Sequence, residues 1–68
     1  MRIWLKHKRI EYNLSQQELA SKVGVNVTAI GKYELGHRRP SYEIAKKIAE
    51  VLDFDWTIFF EDTEENAS

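Results

Sequence analysis

There is no cysteine in this sequence of 68 residues, so neither a disulfide nor a thiolate metal site can staple it. No apolar run approaches the ~20 residues needed to cross a bilayer. The opening MRIWLKHKRI carries charges every few residues and has no apolar centre like that of a signal peptide. A soluble cytoplasmic protein is therefore the expectation. Histidine is scarce: His7 and His37 lie in separate basic segments with no companion carboxylate at motif spacing. No His or acid cluster has metal-ligand spacing. The length leaves no room for a pocket of ordinary size. Catalysis is not expected, and no cofactor or metal is expected. One proline and three glycines interrupt the chain, and it has no internal repeat and no linker, which is compatible with a helical bundle. What is present is 43% hydrophobic and 12% aromatic, which argues against disorder. It must build a single core near the lower size limit for an unstapled domain.

The net charge of −1 hides an asymmetry. Residues 1–50 hold all ten Lys and Arg against five Glu, a net of +5, whereas residues 51–68 hold six Asp and Glu and no base. One basic face and one acidic end follow. An acidic end that merely aids solubility is compatible with the same pattern.

The most informative stretch is SQQELASKVGVNVTAIGKYELG, Ser15 to Gly36. Ser15 followed by Glu18 is a capping box, in which each side chain satisfies an amide the other leaves free. Leu19, Ala20 and Val23 then repeat at helical spacing. Gly24 stops that helix, because the turn needs positive φ. Val25 fills the corner, and Asn26 is a good N-cap for the next helix. Ile30 and Tyr33 point inward there, leaving Val27, Thr28, Gly31 and Lys32 outward. Ala20 is small where the two helices come closest. Gly31 costs the second helix up to about 1 kcal/mol, which suggests close approach of a neighbouring helix or of a partner.

Helices are expected near 2–12, 16–23, 27–35, 41–52 and 55–60. In the first, Leu5 with Met1, Trp4 and Tyr12 supplies a buried stripe, and Asn13 tolerates the left-handed conformation at its end. His37, Arg38 and Arg39 form a basic loop closed by Pro40, which forbids helix at Arg39. Ser41 caps the fourth helix, whose apolar stripe runs through Ile44, Ala45, Ile48, Ala49, Val51 and Leu52. Asp53 ends it. Asp55 caps a last short helix containing Trp56, Phe59 and Phe60. Residues 1–61 read as one domain, and 62–68 as a flexible acidic tail.

These residues resemble the phage-repressor and Cro-type helix-turn-helix family, also called the XRE family. The matching elements are Gln16-Gln17-Glu18-Leu19-Ala20, the Gly24-Val25 turn, Ile30, and Glu34 two before Gly36. Leu5, Lys8-Arg9, the Arg39-Pro40-Ser41 segment and Ile44 to Phe60 extend the likeness over roughly nine-tenths of the chain. The resemblance implies an all-α, five-helix repressor-like bundle containing a helix-turn-helix. It implies a sequence-specific regulator of transcription, a repressor, that inserts helix 27–35 into the major groove of double-stranded DNA. Val27, Thr28 and Lys32 would then touch base edges, with Ala29 and Gly31 close to the groove. Val27 and the Thr28 methyl suit thymine methyls, and Lys32 suits guanine O6 or N7. Gln16, Asn26, His37, Arg38 and Arg39 would meet the DNA backbone, with Lys6, Lys8 and Lys22 as weaker candidates. The resemblance also implies an Arg9–Glu34 ion pair. Ala20 and Gly24 serve structure.

Two-fold operators want dimers, so a homodimer formed through Trp56, Phe59 and Phe60 is expected. The rival is an antitoxin or other protein-interaction module built on the same fold, with a toxin or another regulator as its partner. The absence of Arg, Gln and Asn from the outward reading positions, and the bulky aromatic end, suit that rival.

Overall fold

Four helices, the last three capped by a side chain, and a final helical segment pack around a core drawn from every element. A computed structural model describes residues 1–61; the acidic tail at 62–68 lies outside the described residues. The helices are α1 (Ile3–Glu11), α2 (Gln16–Val23), α3 (Val27–Leu35) and α4 (Tyr42–Leu52), followed by a turn, α5, at residues 58–61. Among the described residues no helix is long and apolar enough to cross a membrane.

Local chemistry sets most of these boundaries. At α2 the capping box is complete: the Glu18 amide donates to Ser15 Oγ at 3.0 Å, and the Ser15 amide donates to Glu18 Oε1 at 2.8 Å. The Ser15 amide first, and its hydroxyl second, hold the Glu18 carboxyl below its ordinary value. A carboxyl lowered by folding contributes stability above its unfolded value and loses it as pH falls through the folded one. Ser15→Ala is expected to lower stability by about 1 kcal/mol and the melting temperature by about 4–8 °C, read from thermal melts at neutral pH. Asn26 and Ser41 cap α3 and α4 in the same way, accepting from Ala29 N at 2.9 Å and Ile44 N at 3.2 Å. Asn13 and Asp53 close α1 and α4 with positive φ.

The ends of the chain depart from expectation. In α1 the buried positions are Leu5 and Arg9, and Trp4 is partly buried. Met1 and Tyr12, expected in the buried stripe, are exposed. At the other end, helix does not begin at 55. The Asp55 carboxylate accepts from the Thr57 amide at 3.0 Å and the Thr57 hydroxyl at 2.7 Å. The bond to the Thr57 amide is one an N-cap makes, so Asp55 starts the winding as expected although regular helix begins only at 58. Ile58, Phe59 and Phe60 then donate three residues back, to Asp55, Trp56 and Thr57. Glu61 donates four residues back to Thr57, so the tight winding passes into α-helix by the last described residue.

The core comprises Leu5 of α1, Leu19, Ala20 and Val23 of α2, Ala29, Ile30 and Tyr33 of α3, Ala45, Ile48 and Leu52 of α4, and Phe59 of α5. Every element therefore helps hold α2 and α3 in place.

Candidate nucleic-acid interface

The α2–turn–α3 unit is a rigid corner. Gly24 adopts φ +80°, and its amide and that of Val25 both donate to the Ala20 carbonyl, at 2.9 and 3.0 Å. The chain thereby reverses within one residue of the helix end. Ala20 is buried beneath this turn. On α3, Ala29, Ile30, Tyr33 and Glu34 are buried. Val27, Thr28, Lys32 and Leu35 are exposed, and Gly31 is half-buried. Ala29, expected close to the groove, instead faces the core, because it lies one helical turn before Tyr33 on the inner face. Leu35 joins the exposed face; no local feature of the sequence marks it.

Behind α3 sits a polar clasp. Arg9 Nε donates to Glu34 Oε2 at 2.6 Å and Nη2 to Glu34 Oε1 at 3.3 Å. Arg9 Nη1 donates to the Leu14 carbonyl at 2.8 Å, tying in the α1–α2 loop. Gln16 Nε2 adds a bond to Glu34 Oε1 at 3.0 Å. One buried carboxylate thus joins α1, the start of α2 and the end of α3. It also holds the Gln16 amide, so that residue can offer a phosphate only its second Nε2–H and its main-chain amide at the start of α2. Asn26 is committed similarly: its Oδ1 caps α3, which leaves its amide nitrogen as the only donor of that side chain.

A second clasp escaped the sequence reading. Arg2 is buried. Its Nη1 donates to the Tyr33 carbonyl at 2.8 Å and the Arg38 carbonyl at 3.0 Å, and its main-chain amide donates to the Glu34 carbonyl at 2.8 Å. A guanidinium at the C-terminus of α3 complements the negative end of that helix. It also fixes the path of the basic loop, on which His37, Arg38 and Arg39 are exposed. Gly36 is required at this junction: its φ is +80°, and an added Cβ would stand 3.1 Å from the Met1 nitrogen.

The aromatic end divides into two clusters. Phe59 is fully buried, with Trp4 and Phe54 at ring-centroid distances of 5.2 and 5.6 Å. It cannot offer an interface, contrary to expectation, because it plugs the base of the core. Trp56 and Phe60 are half-buried and form a surface cluster with Tyr42, at 5.7 Å from Trp56 and 4.8 Å from Phe60. Tyr42 is 65% exposed. Arg39 lies over the Phe60 ring at 5.3 Å and Lys46 over Trp56 at 5.0 Å, in cation–π geometry.

Among known proteins, the family model described as helix-turn-helix matches residues 5–59. The chain is 47% identical over 62 residues to YqaF of Bacillus subtilis (strain 168), named an uncharacterised HTH-type transcriptional regulator, covering 91% of this chain and 82% of that protein. An uncharacterised HTH-type transcriptional regulator of Archaeoglobus fulgidus is 42% identical over 53 residues, covering 78% of this chain and 75% of its own length. A protein of Rhodospirillum rubrum, named an uncharacterised transcriptional regulator in the ATPase CF(0) region, is 38% identical over 64 residues, covering 88% of this chain and 56% of that protein. No solved structure matches.

Proposed function

The chain belongs to the XRE-type helix-turn-helix family, a family of DNA-binding transcription regulators, and from that premise we propose a repressor that reads duplex DNA with α3 as a homodimer. The observation that carries this reading is the exposure of Val27, Thr28 and Lys32 on a helix whose opposite face is locked by Ile30, Tyr33 and Glu34. A helix held so firmly at its back can enter a major groove without rearranging. His37, Arg38 and Arg39 follow α3 directly and are exposed, in reach of the phosphates that flank the groove. Operator occupancy represses in the simplest way, by excluding other proteins from the same duplex. The Tyr42–Trp56–Phe60 cluster supplies the dimer contact, with Tyr42 replacing Phe59 in the set expected from the sequence. A two-fold dimer places its two α3 helices about 34 Å apart, one turn of DNA.

Selection of bound sites from random duplexes, followed by salt titration, tests this. A two-fold consensus and affinity falling steeply with salt are expected, each neutralised phosphate adding ~0.9 to the log–log slope. Thr28→Ala should change sequence preference, whereas Arg38→Ala should weaken all sequences alike. Equal losses on specific and random DNA for both variants would move the reading face elsewhere. Failure to bind DNA at low salt, beside tight binding to another protein, would favour the interaction-module alternative.

A further inference from the structure

The outward face of α3 has two ridges at four-residue spacing. Thr28 and Lys32 make one; Val27, Gly31 and Leu35 make the other. Val27 and Leu35 are apolar yet 40% and 46% exposed. Gly31 leaves a notch between them. The notch opens onto a groove of about 440 Å³ whose lining includes Ile3, Lys6 and Arg9 of α1, Gln16 of α2, and Glu34 and Leu35 of α3.

Nothing among the described residues asks for that notch. A Cβ on Gly31 would meet one atom within 4 Å, Gln16 Nε2 at 3.9 Å, an ordinary contact. Positive φ is found at Gly24 and Gly36 and not at Gly31. Alanine would fit and would favour the helix. A crowding neighbour helix among the described residues is thereby removed as the reason for glycine, which leaves an object that binds from outside them.

We propose that the Gly31 notch seats the 5-methyl group of a thymine, with Val27 and Leu35 as its apolar walls. This rests on α3 entering the major groove, where that methyl is displayed. The vacancy is the size of the missing Cβ, and a methyl fills it. A phosphate would want a free cation at the notch: Arg9 in the groove lining is held by Glu34 and the Leu14 carbonyl, Lys6 there belongs to α1, and Lys32 stands on the other ridge of α3. The seat reads a T·A pair by shape, at a position where α3 makes no hydrogen bond, once in each half-site.

The experiment uses sites selected from random duplexes, with each invariant thymine replaced by deoxyuridine, which deletes only the methyl. Affinities are measured by fluorescence anisotropy for the full chain and for Gly31→Ala. At one thymine per half-site, the replacement should weaken the unaltered protein about fourfold, as expected for one buried methyl. Gly31→Ala should bind the thymine site at least tenfold more weakly and show no further loss with deoxyuridine at that position. Its melting temperature should rise by about 3–6 °C. Three results overturn the seat: equal affinity of the two proteins, no thymine whose methyl matters, or a lower melting temperature for Gly31→Ala. If the unaltered protein binds no duplex, the major-groove reading falls first and the seat with it. If it binds normally and Gly31→Ala binds as well, only the seat falls.

Discussion

Glu34→Ala is expected to lower the stability of the fold by about 3–5 kcal/mol, because it strands a buried guanidinium. The Arg9 and Glu34 side chains are only 10% and 7% exposed, so water cannot replace the lost partner. Arg9 would keep the Leu14 carbonyl and nothing else from the clasp. Gln16 would lose its anchor at the same time. A domain of this length has a total stability of about 3–10 kcal/mol, so the variant should lose from about a third to all of it. Denaturant titration followed by circular dichroism reads this directly. The double variant Arg9→Met/Glu34→Leu should recover most of the loss, since an apolar pair leaves no charge uncompensated. A loss below ~1 kcal/mol for Glu34→Ala would put the pair in the class of solvated surface ions.

Adjacent residues in α5 should behave in opposite ways. Phe59→Ala removes the ring that closes the core beneath Trp4 and Phe54, and should cost about 3–5 kcal/mol. Phe60→Asp alters the surface cluster of Tyr42 and Trp56. It should leave the melting temperature within a few degrees while weakening self-association, and with it the cooperativity of binding to a two-fold site. Sedimentation velocity, alone and with duplex, separates the two variants. If Phe60→Asp unfolds the protein without changing its oligomeric state, the cluster is part of the core and the dimer contact lies elsewhere. Arg39 adds a consequence. Because it lies over Phe60 on the loop that follows α3, disturbing the ring also disturbs a DNA-backbone candidate.

The helix boundaries and the outward face of α3 were legible because their causes are local. Ser15 with Glu18, Asn26 with Ala29 and Ser41 with Ile44 act across three residues. Gly24 and Asn13 act at single positions. The outward set on α3 follows from 3.6 residues per turn once Ile30 and Tyr33 are inward. Local departures were small: regular helix at the end of the chain begins at 58 and not 55, and Ala29 faces the core because it lies one turn before Tyr33.

Sequence alone determined the order of elements, their caps and the corner at Gly24, since each depends on residues within one helical turn. Tertiary structure decided what lies across the chain. Arg2 finds its partners 31 and 36 residues away, and Gln16 finds Glu34 at a separation of 18. It also decided which of Phe59 and Phe60 is buried, since consecutive residues of a helical turn point about 100° apart and only the packed position of α5 under Trp4 chooses between them. Hydrophobicity says how much surface must leave water; the assembled core says whose.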